Sequence, residues 1–447
     1  MATTVAANLQ GDVQAYLDRE VLPLAQKQLV VHQFGQKHTL PKGRGLTMTF
    51  TRYNRFALPF APLAEGVPPP TQQLTIQTVT GMVQQWGCMC TLTDVVDMTV
   101  FHDPFQQAKK LQAIQVAETM ERNDFLTLMG CTQVNYVNQR GSRASLVAGD
   151  VLDPFTVQRT QVSLSYGGAP MFNGPMEPDV KEDIRTLRQG KNTASAPHYV
   201  AVGVQMAIAD LRQNPAITNA WSFSQIDSLY NNEVGQWSLI RFCQSNMVPG
   251  FTGVANTGIN PTPGTSGSLA TGTYYVQLTG VDTQNQYESR IYQVSSSQSV
   301  TGPNGSITVT TPNIAGFTFS AYIGTTSSPA NLATSASGPT SGPMAGQAVQ
   351  LPANSTIVLT GTGIAQTPPA APASGVTVWP TFVFGQDAFG VINFDRLQNF
   401  YLTGAEKADP LNQTRVVATK FWQGAMLLNT AFMARIESSS AFTAAFG

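Results

Sequence analysis

The sequence is short of charge. Only 11% of its 447 residues are Asp, Glu, Lys or Arg, less than half the ~25% of an average soluble domain. Lys+Arg number 25 against Asp+Glu 26, so no net field draws the chain toward nucleic acid or an acidic membrane surface, and any such contact has to be local. Histidine and cysteine are equally sparse. His32, His38, His102 and His198 are thin supply for acid–base or metal chemistry, and Cys88, Cys90, Cys131 and Cys243 form no dense framework. Disulfides are therefore not expected, which fits a reducing cytoplasm. The start, MATTVAANLQGDVQ, lacks a cationic segment followed by an apolar one, and no apolar run approaches the ~20 residues that cross a bilayer. Neither a signal peptide nor a membrane span is expected.

What replaces the charge is Thr, Ser, Gln, Asn, Gly and Pro, a mixture that suits β structure and surfaces buried on assembly. The length allows two or three domains, each with a core. Chemistry-bearing patterns are scarce. Cys88-Met89-Cys90 sits in a strand-like run that puts both thiols on one face, but two ligands without a partner pair do not make a zinc site. His102-Asp103, near Asp94 and Asp97, reads as a helix cap and its neighbour. Gly43-Arg44-Gly45 reads as a turn, and no Gly-x-Ser-x-Gly, Walker or His-Glu-x-x-His pattern is present. No catalytic residue, cofactor-binding residue, metal ligand or cofactor is expected, and a hydrolase would lack the polar groups it needs.

Along the chain, Leu17, Val21, Leu24, Ala25 and Leu29 predict an amphipathic helix within residues 13–33. After the turn Leu40-Pro41-Lys42-Gly43-Arg44-Gly45, TMTFTRYNRFA predicts one strand, and the stretch from Leu74 to Trp86 predicts another, across a Pro-rich loop. Strands of roughly ten residues at ~3.3 Å each make an arm about 30 Å long. A lone hairpin is marginal in water, so it must lie on a neighbouring subunit or on its own domain. Asp103-Pro104 opens a long helix with Ala113, Val116, Ala117 and Met120 on one stripe and Gly130 at its end, and PDVKEDIRTLRQG predicts a second helix from Pro178 to Gly190. Between Gly250 and Gly375 the only charged residues are Asp282, Glu288 and Arg290. There, TYYVQLTGVD, SRIYQVSS, SITVTT, FTFSAYIG and STIVLTG predict the strands of an inserted β-sandwich, flanked by the linker-like PTPGTSGS and TPPAAPASG.

Lys37, Lys42, Arg44, Arg52 and Arg55, interleaved with Tyr53 and Phe56, form a basic stretch that suits nucleic acid or, as favoured here, carboxylates of a neighbouring subunit. Several ordered segments carry a family resemblance: REVLPLAQKQLVVHQFG, LPKGRGLTMTFTRYNRFAL, APLAEGVPPP, VQQWGCMCTLTDVVDMT, the helix after Asp103, YNNEVGQWSLIRFCQSN, VWPTFVFGQDAFG and DPLNQTRVVATKFWQGAMLLNTAFMARIE. Taken in order they resemble the major capsid proteins of tailed bacteriophages of the podovirus type. The resemblance implies an α+β fold of the tailed-phage and herpesvirus kind, with an N-terminal arm, an extended loop, a spine helix in a peripheral domain, and an axial domain. The inserted segment resembles immunoglobulin or fibronectin type III modules.

On that resemblance residues 1–40 are the arm and 41–90 the extended β-hairpin loop. Residues 91–198 are the peripheral domain, with the spine helix at about 103–129. Residues 199–253 and 376–402 are the two axial parts, 254–375 the Ig-like insertion, and 403–447 a return to the peripheral domain. The implied role is a subunit that assembles through hexameric and pentameric capsomers into an icosahedral head around double-stranded DNA. Its partners would be scaffolding, portal and decoration proteins, with no membrane, and it would assemble in the host bacterial cytoplasm and reside in the virion capsid. Arg44, Arg52, Arg55 and Glu65 on the arm, and Lys181, Glu182, Arg185 and Arg188 on the second helix, are the expected intersubunit contacts. The alternative from another class is a tail or surface adhesin that uses the sandwich to bind a ligand.

Overall fold

The computed structural model describes residues 29–41, 43, 45–53, 56–58, 62, 71–100, 104–172, 197–213, 218–219, 232–256, 258–393, 398–402 and 413–443. The helices expected over residues 13–28 and 178–190, and the cap at Asp103, lie outside them. Contacts divide the chain into two units, Met1–Thr132 with Gly385–Met433, and Gln133–Phe384 with Ala434–Gly447. Strands and helices are numbered along the chain.

The first unit is built on one long strand, β23 (Thr414–Leu427). Antiparallel to it run β4 (Gln84–Thr93), β21 (Phe389–Asn393) and β22 (Gln398–Leu402), and β1 (Gln36–Thr39) lies parallel to β21. Alternation along β23 buries Val417, Thr419, Phe421 and Gln423 on one face. Across that face runs α2 (Pro104–Leu128), which follows the short α1 (Asp94–Thr99). The side of α2 turned inward carries Ala108, Gln112, Val116, Glu121, Asp124, Phe125 and Leu128, all buried. The apolar stripe expected from Ala113, Val116, Ala117 and Met120 is thus rotated, and Ala113 is exposed. Polar side chains can take the inner positions because β23 offers them hydrogen-bond partners.

The hairpin pairs β2 (Thr47–Tyr53) with β3 (Ile76–Met82) in unbroken register, from Thr47 opposite Met82 to Tyr53 opposite Ile76. Seven residues per strand span about 23 Å, shorter than the ten-residue strands expected. The run from Leu74 to Trp86 is not one strand either. It breaks at Val83, which is 2% exposed, packs with Leu40, Ile392 and Met426, and donates its amide to Leu46 O. Beyond Val83 the chain leaves the hairpin and joins β23. Residues 29–33 are also not helical, and the amides that would open a helix turn there are taken by Glu121 instead.

In the second unit a sheet runs β19–β17–β16–β12–β13–β10–β20–β6–β9–β8–β7. Its host half holds β6 (Tyr199–Gly203), β7 (Thr218–Asn219), β8 (Glu233–Trp237), β9 (Ile240–Gln244), β10 (Phe251–Val254) and β20 (Thr377–Phe384). Alongside, β24 (Met433–Ser438) pairs with β20 and with β5 (Val134–Tyr136). The strand β6 and most of β20 are buried throughout, as short apolar runs of central strands should be. Two helices belong to this half, α3 (Pro154–Tyr166) and α4 (Gln205–Arg212). Asp153 caps α3, its carboxylate accepting from Thr156 N, with Pro154 in the first turn.

The other half is the low-charge segment. Here β12 (Gly272–Asp282), β13 (Glu288–Tyr292), β16 (Phe317–Gly324), β17 (Asn331–Thr334) and β19 (Gly361–Ala365) continue the sheet, with β14 (Gln298–Val300) paired to β12. A second sheet, β11 (Thr262–Leu269)–β15 (Gly305–Thr310)–β18 (Thr356–Leu359), faces them across a core that includes Leu278, Phe319, Ile307 and Leu351. The expected strands form, but PTPGTSGS is no linker. It makes most of β11, where Gly267 has room for no Cβ, since Gly305 O and Thr360 O press on that position. Nor is the sandwich joined only by its ends: β13 pairs in parallel with β10, Thr252 opposite Arg290 and Val254 opposite Tyr292.

Arg143 ties this unit together. Its guanidinium is bidentate on Glu437 at 2.5 and 2.7 Å, donates to Ala370 O at 3.0 Å, and lies 4.2 Å from the Phe251 ring centroid. Both charges are buried, at 5% and 1% side-chain exposure. Glu437 also lies 3.0 Å from Arg435, so removing Arg143 leaves its buried charge with one cation instead of two. Arg143→Ala is expected to lower the stability of the chain by less than the ~3–5 kcal/mol of a fully uncompensated buried charge, read as a shifted midpoint in urea unfolding. Gly253→Ala is expected to lower it too, because its Cβ would press on Pro372 O and Ala373 O where the segment returns.

Candidate functional site

Among the described residues no group of three or more His, Cys, Asp or Glu could hold a metal, and no helix is long and apolar enough to cross a membrane. Cys88 and Cys90 are both free and half-buried. Cys90 packs with Leu92, Ala108 and Val417, and burial raises the Cys88 thiol above its ordinary range.

The most prominent surface is the hairpin. At its root Met48, Phe50 and Val79 pack on Leu40, Val83, Ile392 and Met426, so this part rests on its own unit. A recess of ≈ 360 Å³ opens beside the root, lined by Phe50, Arg52, Gln77, Val79, Asp387 and Phe432 among others. Further out the apolar residues lose their cover. Tyr53, Phe56, Leu74 and Ile76 are each more than half exposed and Leu58 is 89% exposed. These uncovered side chains lie at the outer end of the ribbon and just beyond its paired residues, as an exposed apolar patch. Of the expected intersubunit residues, Arg52 is described. It is exposed and donates to Gln77 Oε1 directly across the hairpin, so its charge lies over the face of the ribbon. Arg44, Arg55, Glu65, Lys181, Glu182, Arg185 and Arg188 lie outside the described residues.

Behind the hairpin lies a polar seam that no motif announces. Gln112 Nε2 donates to Val417 O at 2.7 Å, and Thr419 Oγ1 donates back to Gln112 Oε1 at 3.1 Å. Gln423 Nε2 donates to Met120 O and to Asp124 Oδ1, and its carbonyl accepts from Asn123 Nδ2. Asp124 Oδ2 lies 2.9 Å from His32 Nδ1. Glu121 accepts the amides of Val30, Val31 and His32. Burial pushes the Glu121 carboxyl up to about 7 and the nearby charge of Asp124 adds to this, while the three amides pull it down. Asp124 is also raised by burial, against hydrogen bonds from His32 and Gln423. The available signal was Glu121 and Asp124 one turn apart on a helix side otherwise buried. The strand partner of Asp124, Gln423, lies 299 residues away.

No family model matches the sequence, and no curated protein does. Solved structures do. The capsid chain of Ralstonia phage GP4 is 11% identical, with 98% of this chain and 98% of that chain covered at a TM-score of 0.52. The capsid chain of cyanophage P-SCSP1u is 10% identical over 96% and 93% at 0.48, and that of cyanophage Pam1 is 11% identical over 90% and 86% at 0.47. At such identity the likeness to the Ralstonia phage chain is one of fold. This chain has the α+β fold of a phage capsid protein, the class expected from the ordered segments.

The seam sets an expectation for stability. Gln423→Leu leaves the buried Asp124 Oδ1 without this donor, while water can reach the half-buried Asn123 Nδ2, and should cost about 1–3 kcal/mol. Thermal unfolding of the purified chain would measure it, and an unchanged midpoint would contradict the seam.

Proposed function

We propose that this chain is the major capsid protein of a tailed phage and builds the icosahedral head by binding copies of itself. The observation that carries the reading is a shared fold extending over 98% of this chain and 98% of the Ralstonia phage GP4 capsid chain. The ordered sequence resemblance and the uncovered hairpin support it independently. In this reading the β2–β3 hairpin is the extended loop, α2 is the spine helix, and residues 199–253 and 376–402, which hold β6 to β9 and β20, are the axial domain that carries the Ig-like insertion. The hairpin root belongs to its own subunit, and its outer apolar residues together with Arg52 belong to the neighbour's surface. Arg44, Arg55, Glu65, Lys181, Glu182, Arg185 and Arg188 remain proposed contacts on the same ground.

Many contacts of this kind, weak one by one, close a shell because each subunit makes several at once. The partners are then the chain itself in hexamers and pentamers, with scaffolding, portal and decoration proteins and the enclosed DNA. The location is the virion capsid, after assembly in the bacterial cytoplasm. The role needs no turnover chemistry. A tail or surface adhesin would use only the sandwich, which makes a likeness along the whole chain hard to account for.

Expression with and without companion head-assembly proteins, followed by electron microscopy, tests the proposal. Capsomers, sheets or shells are expected, and monomers under every condition would overturn it. Leu58→Ser with Ile76→Ser should leave the unfolding free energy within about 0.5 kcal/mol of the parent and abolish closed shells.

A further inference from the structure

The strongest device outside the proposed assembly surface is the contact between residues 30–34 and α2. Val30 and Val31 are fully buried and Phe34 is 8% exposed, so the segment has an apolar anchor. Two carboxylates one helical turn apart then receive its polar groups. Glu121 Oε1 accepts from Val30 N at 3.1 Å and Val31 N at 2.9 Å, and Glu121 Oε2 from Val31 N at 3.2 Å and His32 N at 3.5 Å. Asp124 takes the His32 ring and Gln423. The carboxylates themselves are 1% and 0% exposed. The titratable groups around Glu121 are Asp124 on the same helix side and His32 from the docked segment, with Glu118 one turn back and Arg122 next along the helix. The strand β23 contributes the neutral Gln423.

We propose that Glu121, Asp124 and His32 form a proton-sensitive clasp, holding the segment Val30–Phe34 on the long helix more firmly in acid than above neutrality. Solvent pH then sets how readily residues 30–34 detach from the helix. The clasp goes beyond the capsid reading and does not depend on it.

The sign follows from burial. Docked, Glu121 is raised from 4.5 to about 7, burial being the main cause. Undocked and hydrated it returns toward the lower figure. Between those values the docked state keeps a proton that the undocked state gives up, so docking weakens as pH rises through that window. Below about 4.5 the full preference for docking is present, and above about 7 it is lost. Asp124 is raised by burial as well, so it acts in the same sense. The valines hold the segment in both states, and the proton sets the margin.

Hydrogen exchange on the full-length, unassembled chain reads this directly. Protection of the Val30, Val31 and His32 amides, corrected for the intrinsic pH dependence of exchange, should fall roughly 50-fold between pH 5 and pH 8. Glu121→Gln keeps a carbonyl acceptor without the titration, and should flatten most of that fall. Equal protection at both pH values in the parent, or an undiminished fall in Glu121→Gln, would overturn the clasp. If Glu121→Gln does not fold, infrared spectroscopy of the parent decides. A protonated carboxyl band surviving at pH 6 supports the proposal, and its absence sinks it.

Discussion

The first unit depends on satisfying polar groups that it buries. A long helix lying on a strand ordinarily presents aliphatic side chains, whose packing tolerates small errors of register. Here α2 presents Gln112, Glu121 and Asp124, and each orphaned polar atom in such a place costs about 1–3 kcal/mol. Only one alignment of α2 on β23 pairs Gln112 with Val417 and Thr419 while bringing Gln423 to Asp124. Sliding by a residue would break all of these together. The seam therefore fixes the helix position, and with it β4 and the Val83 break from which the hairpin leaves the sheet. Apolar burial supplies the bulk of the cohesion, and the polar set supplies the registration.

Much of this fold was legible in the residue order. Alternation and turn residues marked the hairpin, the long helix and five strands of the sandwich, because those signals are local. The misses share a cause. Leu74–Trp86 looked continuous because nothing within it declares that Val83 will be drawn into a cluster with Ile392 and Met426, both distant in sequence. β11 looked like a linker because Gly and Ser suit flexible chain, yet Gly267 is small so that two carbonyls can approach it. The stripe on α2 lies away from its expected place because the buried side of this helix is partly polar, and hydrophobicity alone does not mark it.

For the candidate site the outcome was more divided. The hairpin was recognised as an element in need of support, and its root and its outer part turn out to find different support. Arg52 was singled out for its charge, whereas the outer hairpin is distinguished more by Leu58, Phe56 and Ile76. Glu121, Asp124 and Gln423 belong to no motif, and His32 stands out only as one of four scarce histidines. A carboxylate that collects backbone amides leaves no trace in the sequence of the segment that donates them, since every residue but proline has an N–H.

The parallel ladder between β10 and β13 has a mechanical meaning. A module hung on two flexible tethers would swivel, and a sideways load on it would be spent in the tethers. Because β13 continues the host sheet through β10, such a load passes into β20 and β6 as shear along hydrogen-bonded strands. Shear stretches the ladder bonds together, whereas peeling opens them singly. The low-charge sandwich is in this respect a rib of the second unit, and its host cannot bend at that edge without bending it as well.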